Sequence, residues 1–330
     1  MTSRPSPGPG HPLPATPRRA HESRRRTTSL DITRPDGLAG RVVADIRGHD
    51  VHTAADGLAR VVERLTVAVE IDPRRGEVLA ITGLSTGRPL SDLVGTGVRS
   101  GFGRRVAELL PDEAARRSLL YSALDDLGGA LLVSGYALLR NGVVAVARDR
   151  DDAELRARAQ ADVCTGWASG GPVLDVLRET GLAALPMGPA APAIDGDDTL
   201  GWHRMAPPAP ETVRRRRRLD VTAAPGGAGL QAQAHFRDSY AAPDGEMVLH
   251  EYVVDAHVDG AGRLARVDVD PRVLPWRACP GAATSAQGLL GAQVRDIPAR
   301  VRADLVGVTT CTHLNSTLRS LADLPALAGS

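Results

Sequence analysis

The sequence predicts an α+β protein made of two similar halves that pack together as a pseudo-symmetric pair. Three observations support this prediction: an ordered series of matches between the halves, strand-like alternation of apolar residues, and a helical stripe of leucines near the end. Each segment of the first half has a counterpart about 186 to 196 residues later, always in the same order. Since each half shows strands followed by helices, the pattern is typical of an internally duplicated α+β fold.

The matches also set the domain boundaries. "RRTTSLDIT" at 25–33 corresponds to "RRRRRLDVT" at 214–222, and "GLAGRVVADIRGHD" at 37–50 corresponds to "GAGLQAQAHFRDSY" at 227–240. The sequence therefore predicts a disordered tail (1–24), a first α+β repeat (25–150), a helix plus Pro/Gly-rich linker (151–213) and a second α+β repeat (214–330).

The clearest strand lies at 248–258. Every second residue from Val248 is apolar except His250, and the residues between them are mostly polar, as expected of a half-buried strand. "DGAG" at 259–262 predicts a hairpin turn that leads into a return strand. The first half repeats this pattern at 67–71, with a turn at "DPRRG" and a return strand at "EVLAI".

The clearest helices lie in the linker region and near the end of the chain. "DDAELRARAQADV" at 151–163 predicts a helix, whereas "LPMGPAAPAIDGDD" at 185–198 is too rich in Pro and Gly to form a regular element. Leu314, Leu318 and Leu321 fall on one face of a second helix. Thr312 is the predicted N-cap of that helix.

Composition indicates a globular protein in a reducing compartment. Apolar residues make up 42% of the 330 residues and charged residues 24%, and no apolar run is long enough for a membrane span. Residues 1–30 hold six prolines, six arginines and one acid, without the apolar centre of a secretory signal, so we expect a disordered tail and a cytoplasmic protein.

The basic residues exclude some functions. All 40 are arginines, so neither a Schiff-base lysine nor a P-loop lysine is available. With a net charge of +1 and no aromatic residues among the arginines at 214–218, nucleic acid is not an expected partner. This five-arginine run is interpreted as a solvated boundary of the second repeat. "GTGVRSGFG" near Gly95 resembles a dinucleotide fingerprint, but Ser100 occupies the place of the third glycine and we reject it.

Two of the three cysteines predict a metal site. Cys279 and Cys311 each precede a predicted helix, where the helix dipole and free amides favour the thiolate that binds metals. His250 lies on the apolar face of the nearby strand. We therefore expect zinc or iron, as a single ion or in an iron–sulfur cluster, bound by His250, Cys279 and Cys311. The fourth position is left to water, a substrate, His313 or a linker group.

Other interpretations stay open. Buried cysteines often act as small apolar residues, and a histidine on an apolar strand face is commonly a satisfied core residue. A thiol-dependent enzyme using Cys311 or Cys279, with His250 or His313 as base, is one alternative. The other is a non-catalytic binding module whose arginines recognise an acidic partner. Cys164 and His203, in the connecting region, are weaker candidates for any site.

Several motifs together resemble a bacterial family of unknown function, DUF 2889. They are "RRTTSLDITRPDG", "RRRRRLDV", "HFRDS", "VLHEY", "LPWRACPGAA" and "TTCTHLNSTLRSLADL", which span nearly the whole chain after the tail. An acidic residue often follows the Asn of the last motif in this family, and here Ser316 takes its place. The resemblance implies kinship and no particular activity.

The second half also resembles, more remotely, the NifU-type iron–sulfur scaffold. In that comparison Cys279 matches the middle cysteine of the scaffold and Cys311 its last, while its first cysteine would fall near Val248. The scaffold's aspartate would fall on His250. The likeness implies a site for iron in the second half, with one cysteine replaced.

Overall fold

An eight-stranded antiparallel sheet is the framework of the computed structural model, which describes residues 5–83, 90–99, 101–194 and 196–329. Its strands are β1 (Ser23–Thr33), β2 (Val42–Thr53), β3 (Ala59–Ile71), β4 (Val78–Gly83), β5 (Val213–Ala223), β6 (Leu230–Ala242), β7 (Gly245–Val258) and β8 (Leu264–Val273). The strand order is β4-β3-β2-β1-β5-β6-β7-β8. Two four-stranded meanders are therefore joined edge to edge by the pairing of β1 with β5.

Short helices follow each meander. The α-helices are α1 (Phe102–Leu109), α2 (Pro111–Ala115), α3 (Leu119–Asp125), α4 (Leu127–Val133), α5 (Gly135–Arg140), α6 (Arg150–Gln160), α7 (Pro172–Thr180), α8 (Ile297–Asp304), α9 (Thr312–Arg319) and α10 (Leu324–Gly329). The 3-10 helices are Leu90–Leu93, Thr165–Trp167, Cys279–Leu289, Val294–Asp296, Gly307–Thr309 and Ser320–Asp323. Among the described residues, none of the helices is long and apolar enough to span a membrane.

The α+β prediction is confirmed, and so are several of its parts. The predicted turn joins β7 to β8, where Asp259 Oδ1 accepts hydrogen bonds from the backbone of Ala261 and Arg263. The predicted helix of the connecting region is α6, and the Pro/Gly-rich segment after it forms no helix or strand in its described residues. Ser100, in the glycine-rich motif, lies outside the described residues.

The apolar faces of the two meanders pack under separate groups of helices. Beneath β5–β8, the alternating Val254, Ala256 and Val258 belong to one buried cluster with the predicted leucine stripe of the last helices. Beneath β1–β4, a second cluster packs against α1, α3 and α4. Both cores are built mainly from aliphatic side chains, as the scarcity of aromatic residues requires.

The interpretation of the arginine run as a solvated boundary is wrong. Arg214–Arg218 lie on β5 in the middle of the sheet, and all five are buried. Successive side chains of a strand point to opposite faces, so each face of the sheet receives guanidinium groups that need acids. The ion pairs are Arg214 with Asp31, Arg215 with Asp238, Arg216 with Glu246, Arg217 with Asp126 and Arg218 with Asp220.

The residues expected to form a disordered tail instead lie against the sheet face opposite the helices, as far as residues 5–22 are described. The backbone N–H of Leu13 donates to buried Glu251 at 3.1 Å, and Leu13 O accepts from Arg237 at 2.9 Å. Trp202 Nε1 donates to Thr16 Oγ1 at 2.8 Å. Because buried ionic groups need hydrogen-bond partners, the tail and the linker cover this face. This also explains why Glu251, on the expected polar face of β7, is buried.

His203 belongs to this covered face. Its Nδ1 is 2.9 Å from Thr27 Oγ1 and its Nε2 is 2.7 Å from Ser29 Oγ, both on β1. Burial, followed by the charge of neighbouring His49, lowers the pKa of His203 to about 3. Each ring nitrogen has a hydroxyl partner, and the ring is distant in sequence from the cysteines. This is the arrangement of a structural histidine.

We predict that Asp126→Asn destabilises the protein by about 3–5 kcal/mol, since it leaves a buried guanidinium without its acid. Asp126 accepts two hydrogen bonds from Arg217, at 2.6 and 2.7 Å. Asp268→Asn is the matched control, because Asp268 pairs with Arg266 in solvent and exposed pairs contribute little. Urea denaturation of both variants measures the difference, and equal midpoints for the two would contradict the prediction.

We predict that His203 makes the protein less stable as the pH falls below about 6.5. In the folded state the pKa of His203 is about 3, below its ordinary value of 6.5. Between these two pH values the unfolded chain binds a proton at His203 that the folded chain does not bind. The contribution of neutral His203 to the free energy of unfolding is fully present at neutral pH and is lost progressively on acidification. His203→Gln should lose about 1.4 kcal/mol less per pH unit between pH 6 and 4.5. Urea midpoints at several pH values measure this slope, and an unchanged slope in His203→Gln would contradict the prediction.

Candidate metal centre

Strand register and one helix bring together an acid and two histidines. Asp238 of β6 lies directly across from His250 of β7, beside a bulge that follows Asp238. Both side chains face the helices, and His313 projects onto them from the first turn of α9. The rings of His250 and His313 are stacked, with centroids 3.7 Å apart and planes at 17°.

The ligand atoms of this group are close enough for a metal ion. Each of the three residues, Asp238, His250 and His313, offers one ligand atom, and these three atoms lie within 4.8 Å of one another. His313 Nε2 is 3.6 Å from Asp238 Oδ2, which is too long for a hydrogen bond. Two ligands of a tetrahedral zinc ion with bonds of about 2.0–2.1 Å are about 3.3 Å apart. The two atoms are thus slightly farther apart than ligands of one ion, and the stacked rings of His250 and His313 would have to tilt for their nitrogens to converge on it.

The electrostatic surroundings keep both imidazoles neutral. Burial, and then the neighbouring Arg215, lowers the pKa of His250 to about 4, although Asp238 opposes the shift. Burial, His250 and Arg215 hold the pKa of His313 well below its usual value. Neutral imidazole is the form that binds a metal. His250 Nδ1 is buried and has no hydrogen-bond partner in the described part of the chain.

The carboxylate of the centre is already oriented. Arg215 donates to each oxygen of Asp238, both at 2.8 Å. Each carboxylate oxygen has two lone pairs, so one remains on each for a metal. Asp126 lies 3.7 Å from Arg215 and offsets part of its charge. The guanidinium group of Arg215 therefore fixes the position of the Asp238 carboxylate and leaves lone pairs on its oxygens for a metal.

Cys311 lies beside the centre. It is the N-cap of α9, one residue before the predicted Thr312, and its thiol is buried. Its Sγ is 3.7 Å from His313 Nδ1, the ring nitrogen that faces away from Asp238. A metal-binding histidine is usually oriented through its other nitrogen, and this contact can serve that purpose.

Cys279 was expected to favour the thiolate form, and its surroundings favour the neutral thiol. It begins a 3-10 helix and is buried, and burial raises the pKa of its thiol to about 12. The cost of desolvating the charge thus outweighs any benefit from the helix end. Cys279 lies near Cys164: a methyl group placed on Gly166 would be 2.9 Å from Cys279 Sγ and 4.0 Å from Cys164 Sγ.

The single predicted site is therefore divided. His250 joins Asp238 and His313, Cys311 touches His313, and Cys279 lies with Cys164. Sequence reasoning did not select Asp238, and it offered His313 only as a fourth ligand or a base. The signal for Asp238 was its place in "HFRDS", on the strand predicted to precede that of His250. Only the pairing register shows that the two face each other.

The fold and this centre define an α+β protein with a buried Asp–His–His group. Residues 213–326 match the family described as "Protein of unknown function (DUF2889)", which confirms the resemblance for the second half of the chain. The first-half motif "RRTTSLDITRPDG" lies outside the matched residues. No curated protein and no solved structure matches the chain, so the likeness to NifU-type scaffolds stays a prediction.

We predict that iodoacetamide modifies Cys164 well before Cys279 in the folded, metal-free protein at pH 8. Cys164 is partly exposed, whereas Cys279 is buried with a pKa of about 12 and little thiolate. Mass spectrometry of the peptides gives the order of modification, with urea-unfolded protein as the control. Modification of Cys279 in the folded state at the unfolded rate would instead favour a thiol nucleophile.

Proposed function

We propose that this protein binds one zinc or iron ion through Asp238, His250 and His313. The observation that carries the proposal is the grouping of three ligand atoms within 4.8 Å of one another, at a place where one buried imidazole nitrogen has no partner. Unpaired buried polar atoms cost free energy, and a bound cation would supply the missing partner for that nitrogen.

The ligand chemistry agrees with both metals. Two imidazoles and one carboxylate bind zinc in sites that keep an open position, and they also form the facial ligand set of non-haem Fe(II). Three protein ligands leave room for water or a substrate. The proposal is therefore a metal centre of the reactive type, with no substrate assigned.

The proposal keeps His250 and the two metals expected from the sequence and changes the other ligands. Cys311 would orient His313 through its contact with Nδ1 and would not bind this ion. Cys279 has no part in the centre.

A thiol-dependent enzyme is the second candidate, favoured by the contact of 3.7 Å between Cys311 Sγ and His313 Nδ1. A thiol beside an imidazole is the usual arrangement of an activated cysteine. Against it, the low pKa of His313 makes the imidazolium partner of a thiolate unfavourable. The binding-module hypothesis loses the support of Arg214–Arg218, whose ion pairs are internal.

We also propose that the chain arose by duplication. The two meanders run in the same strand order outward from the β1–β5 pair, β1 to β4 on one side and β5 to β8 on the other. An antiparallel pair at the centre is what a twofold relation between the halves requires. Comparison of the two halves across many homologous sequences tests the idea, since common origin predicts shared residues beyond the strands.

We predict about one zinc or iron per chain in protein purified without a metal-affinity tag, measured by elemental analysis. His250→Gln and His313→Gln should each lose most of it, because each removes one of three protein ligands. His257→Gln is the matched control on the same strand and should keep the metal. Metal far below one equivalent in the wild type, or retained in all three variants, would exclude the centre.

A further inference from the structure

The three cysteines of the chain come from three distant segments that pack against one another. The Cys164 segment is held against the Cys311 segment, since Thr165 donates from its backbone N–H and its hydroxyl to Thr310 O, each at 2.9 Å. The same segment lies against Cys279, whose sulfur is within 2.9 Å of the position a methyl group on Gly166 would take. Cys279 and Cys311 share one buried cluster.

The hydroxyl of Tyr252 faces this group. Tyr252 is fully buried on β7, and its Oη has no hydrogen-bond partner in the described part of the chain. Burial, and then the adjoining Cys311, raises the pKa of the tyrosine, with smaller effects from Cys279 and Cys164. A buried hydroxyl without an acceptor is costly, and a thiolate is an acceptor that it could reach.

Two of the thiols, those of Cys164 and Cys279, are disfavoured as anions in their buried surroundings. Burial and the proximity of Cys311 raise the pKa of Cys164 and of Cys279. Opposing this, the backbone amides of Gly166 and Trp167 stabilise the charged form of Cys164. The group thus combines three sulfurs with backbone amides and the Tyr252 hydroxyl as hydrogen-bond donors. A bound cation would supply the positive charge that stabilises the thiolates.

We propose that Cys164, Cys279 and Cys311 form a second metal site, selective for a soft thiolate-binding cation of the Cu(I) or Cd(II) class. Soft thiolate ligands select such ions, whereas the Asp–His–His centre offers borderline nitrogen and hard oxygen. Tyr252 donates a hydrogen bond to one bound thiolate. The two sites share no ligand and meet only where Cys311 Sγ contacts His313 Nδ1.

Binding requires the three sulfurs to move closer together. The three sulfurs are not all within the 4.8 Å that separates the ligand atoms of the Asp–His–His group. Sulfurs bound to one tetrahedral ion at about 2.3 Å lie about 3.8 Å apart. Cys164 is the least buried of the three and precedes a single 3-10 turn, Thr165–Trp167, so it is the ligand with room to move.

The test is a titration of the reduced, chelator-treated full chain with CdCl₂, followed by the ultraviolet sulfur-to-cadmium charge-transfer band. We expect the wild-type band to saturate at about one Cd²⁺ per chain. Cys164→Ser should lower its amplitude by about one third, because one of three thiolates is lost. Tyr252→Phe should keep the amplitude and weaken binding about tenfold or more, as loss of an outer-shell partner does.

Two further measurements separate the sites and keep the test valid if a variant folds poorly. His313→Gln should keep the cadmium band, since it leaves all three thiols in place. In the wild type, Cd²⁺ should protect all three cysteines from alkylation, as read by mass spectrometry. A wild-type chain without the band, an unchanged band in Cys164→Ser, or protection that omits Cys164 would each overturn the proposal.

Discussion

The burial of five consecutive arginines on the central strand is the constraint on which the rest of the structure depends. A guanidinium group cannot lose its charge at any ordinary pH, so each one removed from water must be given an acid. The flanking strands β1 and β6 supply Asp31 and Asp238, β7 supplies Glu246, β5 itself supplies Asp220, and the junction of α3 with α4 supplies Asp126. Both faces of the sheet must therefore be covered at its centre.

The same ion pairs connect the two halves of the molecule and orient the candidate metal centre. Asp126, from the first half, binds Arg217 of β5 and accepts a hydrogen bond from Ser316 of α9 at 2.8 Å. Arg215, on the same face of β5, fixes the carboxylate of Asp238. The helix that carries His313 and the acid that faces it are thus held by neighbouring arginines. Loss of one buried pair would affect both stability and the geometry of the site.

Two donor chemistries lie side by side in the second half, and their separation has a simple structural cause. The nitrogen and oxygen donors of Asp238 and His250 come from adjacent strands, where register fixes them rigidly across from each other. The sulfurs come from loop and helix ends, which meet through the segment after α6. His313 in the first turn of α9 and Cys311 at its N-cap form the contact between the two groups.

Local patterns in the sequence determined the parts of the fold that rest on local physics. The alternation at 248–258, the turn at Asp259 and the leucine stripe of the last helices were predicted, because each depends on neighbouring residues and on one buried face. The arginine run was misinterpreted for the same reason: nothing nearby in the sequence offers five acids. Four of its five partners lie from 23 to 183 positions away in the chain, the largest separation being that of Arg214 from Asp31.

Only the tertiary structure decided how the candidate ligands are grouped. The sequence indicated His250, Cys279 and Cys311 as special, since their residue types and positions at strand faces and helix starts are local properties. Which of them share a ligand sphere depends on strand register and on the path of the connecting segment, and neither is encoded within a short window. The sheet places His250 against Asp238, and the linker brings Cys164 to the other thiols, because buried polar groups find partners wherever the folded chain offers them.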